Sequence, residues 1–409
     1  MLVCRLLLVL FLSSLVSFAG AAGIPIKDPA AIEDVQQIVS IFGIDQGIQN
    51  SIRRDLENNN RTKPEMYFDQ EIYMRPFTVD AINLHISTVL AKHISSDYAQ
   101  KLLKELPKPT AKISTRLWRT EMNQGLDAAR SEFNKLSPAD RKAVNDFRST
   151  PTFLSMLNAL NNSKEERNEE MANWSGKEMQ GRVRQARQVI AELMEISIKL
   201  EKEEIDENVK LSERIPLTGQ RSLDQEVRLT FEYLRANIKQ NLRFSEELKA
   251  LDLGGLLKPA NLTSRQGIEN SNLSILAAET MFDNNSKRYD SLRASYTDAL
   301  ERINMSPQQR QEVIANNKKN MEEILDSRLK RNEHLRAFLE LKKQVLALCE
   351  SSFGKIKIDG DTLLFDNDQD VNKYNSLVRQ INIERQALLD LEKQDLDERT
   401  RTLATFKKK

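Results

Sequence analysis

The chain of 409 residues is poor in cysteine, glycine, proline and histidine, with 2 Cys, 13 Gly, 11 Pro and 3 His. Cys4 lies in an apolar N-terminal stretch, so the rest of the chain has Cys349 alone and cannot form an internal disulfide. We expect Cys349, beside Val345 and Leu348, to be a small buried core residue; the alternative is an intermolecular bridge or a reactive thiol.

A large net charge is also absent, because 61 basic residues face 60 acidic ones and leave a net charge of +1. The two signs are mixed along the chain, which argues against nucleic acid or an anionic membrane as a partner. Charged residues make up 30% of the chain and hydrophobic residues 40%. With so few helix breakers, this composition is typical of long, surface-exposed helices.

The N-terminal residues 1–23 have the pattern of a signal peptide. Arg5 supplies the positive charge, residues 6–18 form the apolar region, and Ala19-Gly20-Ala21 is a small-residue cleavage site. Beyond it, the sequence has no apolar run long enough to span a membrane. The pattern therefore predicts cleavage near Ala21 or Ala22 and a periplasmic or secreted protein without an integral membrane segment.

The stretch from Ile275 to Ile303 has hydrophobic residues in a heptad repeat. One line of the repeat and the line three residues further on form an a/d seam over four heptads. The two lines consist of Ile275, Phe282, Tyr289, Tyr296 and Ile303, and of Ala278, Asn285, Leu292 and Ala299. A seam this long needs partner helices to bury it.

Four further segments of the C-terminal half have helical periodicity and supply these partners. They are residues 176–214, 222–251, 307–349 and 368–406, the third opened by Ser306-Pro307 with Gln309 at N3. The alternating stretch 355–365, with Asp359-Gly360 at its turn, predicts a β-hairpin. We therefore predict an all-α protein in which residues 177–406 form an elongated antiparallel bundle of long, coiled-coil-like helices with one small hairpin.

Residues 28–160 predict a separate, compact domain of shorter helices, joined to the bundle by a polar connector over residues 161–176. The pattern indicates a helix up to Gly43, a second closed by a loop at Asn58-Asn59-Asn60, and a single helix over residues 111–134.

One stretch of this domain has a distinctive motif. Leu136-Ser137-Pro138-Ala139-Asp140 is followed by Asp146-Phe147-Arg148-Ser149-Thr150-Pro151. Over residues 28–160 the chain resembles a helical domain of unknown function that is widespread in exported proteins of Gram-negative bacteria. Phe153 replaces the glycine usual in that domain, and Arg148 a common aromatic residue. The resemblance implies an envelope location and supplies no catalytic residues.

Five residues of the long helices are candidates for interaction or for setting helix register. Asn285 lies at a d position, where a polar residue can fix register; alternatively, the seam rotates and leaves it exposed. Tyr289 and Tyr296 share the other line of that seam. Arg328 and Arg331 interrupt the stripe of the following helix and either extend to solvent or pair with carboxylates of a neighbour.

The sequence has no pattern that predicts catalytic, cofactor-binding or metal-binding residues. His85 and His93 share a helical face but have no third ligand nearby, so we expect two surface histidines. The acidic run Asp366–Asp370 begins like a calcium loop, yet Val371 and Leu377 occupy the positions of the required Gly and Glu; it is better explained as a cap for the last helix.

The sequence thus predicts a non-catalytic, exported interaction or scaffold protein of the bacterial cell envelope. Its partner would be another protein or a second copy bound through helices, with neither nucleic acid nor an identifiable small-molecule ligand. The alternative is an envelope hydrolase, with His85 or His93 beside a buried carboxylate, or a ligand-binding module with a site between the two helical domains.

Overall fold

A computed structural model describes residues 26–205, 208–360 and 362–408. The predicted signal peptide and its cleavage site lie outside the described residues. The described chain is all-α apart from one two-stranded antiparallel sheet, as the sequence predicts. None of the described helices combines the length and apolar character needed to cross a bilayer.

The contacts divide the chain into two units, of which unit 1 comprises Met1–Arg184 and Leu217–Arg221. Its helices are mostly short, and their starts follow ordinary capping chemistry: Ser137 and Thr150, for example, each accept a hydrogen bond from a first-turn amide. They are α1 (Ile32–Phe42), α2 (Ile44–Thr62), α3 (Gln70–Met74), α4 (Val79–Leu90), α5 (Ser96–Glu105), α6 (Pro109–Gln124), α7 (Leu126–Lys135), α8 (Pro138–Arg148) and α9 (Pro151–Asn162), with 3-10 turns at Pro64–Met66 and Ala91–His93.

Aromatic rings form the centre of unit 1. Phe153 is buried, with its ring centroid 6.1 Å from that of Phe42, 6.2 Å from Trp118 and 5.3 Å from Phe147. The large ring therefore fills the core at the position where the resembling domain has glycine. Arg148 is anchored to this region by donating from Nε to Ser114 Oγ at 3.1 Å, and burial lowers its pKa.

Unit 2 comprises Gln185–Pro216 and Ser222–Lys409 and is built on long helices. Ser306 opens one of them with the predicted capping box, in which Ser306 and Gln309 bond to each other's backbone amides. The elements are the second part of α10 (Lys164–Glu201), then α11 (Arg221–Lys249), α12 (Pro259–Leu262), α13 (Arg265–Glu301), α14 (Pro307–Ser351), β1 (Ile356–Asp359), β2 (Thr362–Phe365) and α15 (Asp368–Lys408).

The predicted connector over residues 161–176 is wrong, because most of it belongs to helix α10. Arg167, Met171 and Trp174 recur at helical spacing and are buried in unit 1, while the charged residues between them face outward. The division between the units falls after Arg184 instead. The high charge of this stretch reflects an amphipathic helix and not a linker.

The prediction that a single helix continues to Arg214 is also wrong, since α10 ends at Glu201. Glu203 adopts a left-handed conformation with φ 57°. Its N–H bonds to the Leu200 carbonyl and the N–H of Glu204 to the Lys199 carbonyl. This is the Schellman arrangement that satisfies the last carbonyls of a helix. A charged residue takes the place that glycine usually occupies, so the sequence carried no clear stop signal.

Two smaller corrections concern unit 1. Asn58-Asn59-Asn60 is helical and not a loop, since α2 continues to Thr62. The side chain of Asn60 pairs with the N–H and the carbonyl of Phe68, at 2.8 and 2.7 Å, and so does not compete for its own backbone. The predicted helix over residues 111–134 is interrupted at Gly125, whose φ of 93° no helix accommodates.

Gly43 joins α1 to α2 with φ 67°, and a Cβ at this position would lie 2.9 Å from Arg119 Cγ. The Arg119 side chain is held there by hydrogen bonds to the Ser40 and Ile41 carbonyls at 2.9 and 2.8 Å. We predict that Gly43→Ala lowers the free energy of unfolding by about 1 to 3 kcal/mol, through backbone strain and this contact.

The control is Gly181→Ala within α10, where an added Cβ meets nothing within 4 Å. It should stabilise by about 0.5 to 1 kcal/mol, the helix preference for alanine. Urea denaturation followed by circular dichroism measures both effects; equal effects of the two substitutions would contradict the role assigned to Gly43.

Candidate functional site

All five residues singled out in the sequence lie in unit 2, where α13 packs between α11 and α14. Asn285 is half-buried on the predicted seam, and its side-chain and backbone oxygens accept hydrogen bonds from Gln240 of α11 at 3.2 and 3.3 Å. The alternative in which the seam rotates and exposes Asn285 is therefore wrong. The Gln240–Asn285 pair fits only one alignment of the two helices.

The two tyrosines of the seam contact the same neighbour, α11. Tyr289 donates its hydroxyl hydrogen to Asn237 at 3.3 Å and also contacts Asn241. Tyr296 hydrogen-bonds to Thr230 at 3.2 Å, and its ring centroid lies 4.7 Å from that of Tyr233. Both rings thus lie against α11 while their hydroxyl groups find polar partners.

Burial shifts the pKa of two phenols at this contact, those of Tyr289 and Tyr233. It raises the pKa of Tyr289 to about 12, although the positive charge of Arg328 acts in the opposite direction. Burial also raises the pKa of Tyr233. Both phenols are therefore neutral hydrogen-bonding groups at physiological pH and not proton acceptors.

Arg328 and Arg331 pair with carboxylates of neighbouring helices, one of the two outcomes expected from the sequence. Arg328 donates to Asp290 of α13 at 2.8 Å and lies over the ring of Tyr289. Arg331 donates to Asp395 of α15, which also accepts a hydrogen bond from Ser327. Each arginine links α14 to a different helix, so α14 is cross-linked on both sides.

These side chains form a polar band, which we define as Asn285, Tyr289, Tyr296, Arg328, Arg331 and their partners. Apolar clusters flank the band along the same helices. One contains Ile275, Ala278, Leu339, Val345 and Cys349, and the other Leu300, Ile303 and Met305. The seam of α13 is therefore polar in its middle and apolar towards its ends, while the other face of α11 buries Phe231 and Ile238 against α10.

Two charged residues of the helix interfaces, Asp395 and Lys342, were not predicted from the sequence, although both lie on heptad lines. Asp395 continues the line Tyr374, Ile381 and Leu388 of α15, and Lys342 lies between Leu335 and Cys349 on that of α14. A charged residue on an otherwise apolar line was the available signal. The role of such a residue depends on which helix packs against it, and hydrophobic periodicity does not identify that helix.

The expectation of two surface histidines is wrong, because His85 and His93 of unit 1 are partly buried and each faces a carboxylate of α10. His85 Nδ1 lies 2.8 Å from Glu170, and its ring stacks on Trp174 at a centroid distance of 4.1 Å. His93 Nε2 lies 2.8 Å from Glu166, which also pairs with Lys92. The two histidines thus fasten α4 and the following 3-10 turn to α10.

The carboxylates beside these histidines are not the buried groups that a hydrolase site would require. The Glu166 and Glu170 side chains are 40% and 41% exposed. Hydrogen bonds from Lys92 and His93 lower the pKa of Glu166, whereas a general acid or base is usually shifted towards neutral pH.

Among the described residues, no group of three or more His, Cys, Asp or Glu side chains is placed to hold a metal ion. In the acidic run at the start of α15, Asn367 accepts a hydrogen bond from the N–H of Asp370 at 2.8 Å, and Asp370 accepts one from Ser352 at 2.8 Å. The run therefore caps α15, as predicted.

Cys349 is buried, as expected, and burial raises the pKa of its thiol to about 11. The thiolate is the reactive form of cysteine, so this residue contributes to packing within unit 2.

Comparisons with protein family models, with curated proteins and with solved structures find no match to this chain.

The Arg331–Asp395 pair allows a test of the polar band. We predict that Arg331→Met and Asp395→Leu each lower the free energy of unfolding by about 1 to 3 kcal/mol, because each leaves a half-buried charge without its partner. The double variant should be less destabilised than the sum of the two, with a coupling energy of about 1 to 2 kcal/mol.

The matched control is Arg336–Asp283, an exposed pair that links α14 to α13 with side chains 72% and 54% exposed. Its coupling should be below about 1 kcal/mol, as for other exposed pairs. Strictly additive effects at Arg331 and Asp395 in chemical denaturation would contradict the pairing assigned to the band.

Lys342 is a nearly fully buried cation, 5% exposed, that donates to the Leu253 carbonyl and lies over the ring of Phe338. Burial lowers its pKa to about 8 from 10.5. In the range between these values the unfolded chain binds more protons than the folded one, so this residue's contribution to stability rises with pH.

We predict that the stability of the wild type relative to Lys342→Met rises by about 1 to 2 kcal/mol from about pH 8 to about pH 10. Urea denaturation at a series of pH values measures this difference. The Cys349 thiol has the opposite pH dependence, but it is present in both proteins and cancels. A difference that is constant or falls with pH would contradict the lowered pKa.

Proposed function

We propose that the protein is a non-catalytic, exported interaction or scaffold component of a bacterial cell envelope, which acts through the surfaces of its long helices. The signal-peptide pattern of residues 1–23 and the resemblance over residues 28–160 support the envelope location. A chain with Cys349 as its sole thiol beyond the leader needs no disulfide chemistry in that compartment.

One observation carries the proposal: the polar side chains that converge in the bundle bond to one another. Asn285, Tyr289, Tyr296, Arg328 and Arg331 each have a hydrogen-bond or ion-pair partner on a neighbouring helix. Reactive sites require groups held in place and available to a substrate. The groups of the polar band are used to align helices, which is the chemistry of an interaction module.

The outer faces of the long helices carry large apolar side chains. Leu273 and Leu276 of α13, three residues apart on one helical face, are both 58% exposed, and Ile383 of α15 is 65% exposed. Exposed apolar residues at helical spacing are anchors for a partner helix. No observation in the described residues favours the alternative of an envelope hydrolase or a ligand-binding module.

The test uses the full chain, including its leader, expressed in the envelope of its native host. We expect mass spectrometry to find a mature chain that starts after Ala21 or Ala22. We also expect native electrophoresis of gentle envelope extracts to show the protein in an assembly larger than the monomer. The double variant Leu273→Glu/Leu276→Glu should shift most of it to the monomer position.

The control is His85→Asn/His93→Asn, which leaves the exposed helix faces unchanged and should keep the assembly. Circular dichroism checks that both double variants fold. A wild-type protein that migrates as a monomer, an uncleaved protein in the cytoplasm, or an assembly lost only in the histidine variant would each contradict the proposal.

A further inference from the structure

The β-hairpin has a hydrogen-bonding edge that nothing in the described residues covers. Strands β1 and β2 pair antiparallel, with Asp359 opposite Thr362 and Ile358 opposite Leu363. The residues that flank a two-residue turn bond to each other, and hydrogen-bonded and non-hydrogen-bonded pairs then alternate along the strands. The backbone N–H and C=O of Ile356 and Ile358 therefore point away from β2.

Three of the four side chains of β1, all but that of Ile356, are exposed. Ile358 is 46% exposed although it lies on the same face of the sheet as Ile356, which packs on the apolar cluster of unit 2. Lys357 and Asp359 lie on the opposite face, are exposed, and face Leu364 and Thr362 across the hairpin. Neither charge has an ion pair within the described part of the chain.

We propose that the β1 edge is a self-association interface, at which two copies of this chain pair their β1 strands antiparallel into a four-stranded sheet. The proposal is independent of the proposed function, because self-pairing of this edge requires neither an envelope location nor the exposed helix faces.

The charges on β1 select one alignment of the two copies. Residues whose backbone N–H and C=O point away from β2 must lie opposite residues of the same kind in the other copy. The two-fold axis therefore passes beside one residue, which lies opposite its own counterpart. An axis at Ile356 places Lys355 opposite Lys357. An axis at Lys357 pairs Lys355 with Asp359 at both ends but places the two copies of Lys357 opposite each other at the centre, and an axis at Asp359 pairs two aspartates. Like charges directly opposite are destabilising.

An axis at Ile358 gives the opposite result. Lys357 of each copy then lies opposite Asp359 of the other, which forms two ion pairs on the solvated face. Ile358 meets its own counterpart on the other face, as a hydrogen-bonded pair, and covers two exposed apolar side chains. The edge is therefore self-complementary in hydrogen bonds, charge and hydrophobicity in this register.

The second edge of the hairpin, that of β2, has no charges that would select one register of pairing. Strand β2 reads Thr362-Leu363-Leu364-Phe365 and carries no charge that would favour one register over another. Lysines at a sheet edge usually prevent pairing with other chains. Here like-charge pairs disfavour the other registers, whereas with the axis at Ile358 each Lys357 pairs with an Asp359.

Four residues from each strand make a small contact, below the roughly 1,000 Å² of a stable interface. We therefore expect a weak, concentration-dependent dimer in sedimentation equilibrium at up to about 100 μM. Lys357→Asp should weaken the dimer about tenfold or more, because it places two aspartates opposite each other at both ends of the contact. The charge swap Lys357→Asp/Asp359→Lys should restore an affinity close to that of the wild type.

The matched control for the charge change is Lys287→Asp, at an exposed lysine of α13, which should leave dimerisation unchanged. A wild type that stays monomeric at about 100 μM, or a charge swap that fails to restore the dimer although circular dichroism shows a folded protein, would overturn the proposal.

Oxidative cross-linking tests the register independently, in a Cys4→Ser background. Ile358→Cys should form a covalent dimer, because Cα atoms of a hydrogen-bonded antiparallel pair lie about 5.5 Å apart, within disulfide range. Leu364→Cys should not, since two copies of β2 would be separated by three strand spacings, about 14 Å. Cross-linking at residue 364 and not at residue 358 would assign the contact to the β2 edge and overturn the proposal.

Discussion

The bundle of unit 2 depends on the requirement that polar and charged groups taken out of water find partners. A half-buried guanidinium or amide that lacks a partner costs more than most single packing contacts contribute. The seam of α13 and the inward lines of α14 and α15 contain such groups at intervals. The helices can pack lengthwise only where Asn285 meets Gln240, Arg328 meets Asp290 and Arg331 meets Asp395.

Along the same helices, apolar residues and polar residues therefore make different contributions to packing. The apolar clusters at either end of the polar band supply cohesion, because burying Ile275, Leu339 or Leu300 is favourable in many alignments. The polar band rejects alignments that leave a charge without a partner. A displacement of one helical turn between α14 and α15 would separate Arg331 from Asp395, whereas the leucines would still meet apolar neighbours. The apolar clusters therefore contribute mainly cohesion, and the polar band mainly determines how the helices align.

The sequence was informative wherever a residue's role depends on its own helix. The capping box at Ser306, the hairpin turn at Asp359-Gly360 and the seam through Ile275 are local patterns, and the structure has each of them. It was uninformative where the role depends on another element. Trp174 was assigned to a connector because its aromatic partners Phe77 and His85 lie far away in sequence. The candidates of the polar band were found, but their partners, such as Asp395, were not.

Because the side chains of the polar band are paired within the bundle, the capacity for new interactions lies at the periphery. Exposed leucines of α13 offer hydrophobic contact, which is favourable with many partners and discriminates poorly among them. The outward N–H and C=O groups of Ile356 and Ile358 form hydrogen bonds only in certain directions. The neighbouring Lys357 and Asp359 place a positive and a negative charge at defined positions along the strand. A strand edge of this kind distinguishes registers by charge as the polar band does, which makes alignment by paired polar groups a property of both the interior and the surface of unit 2.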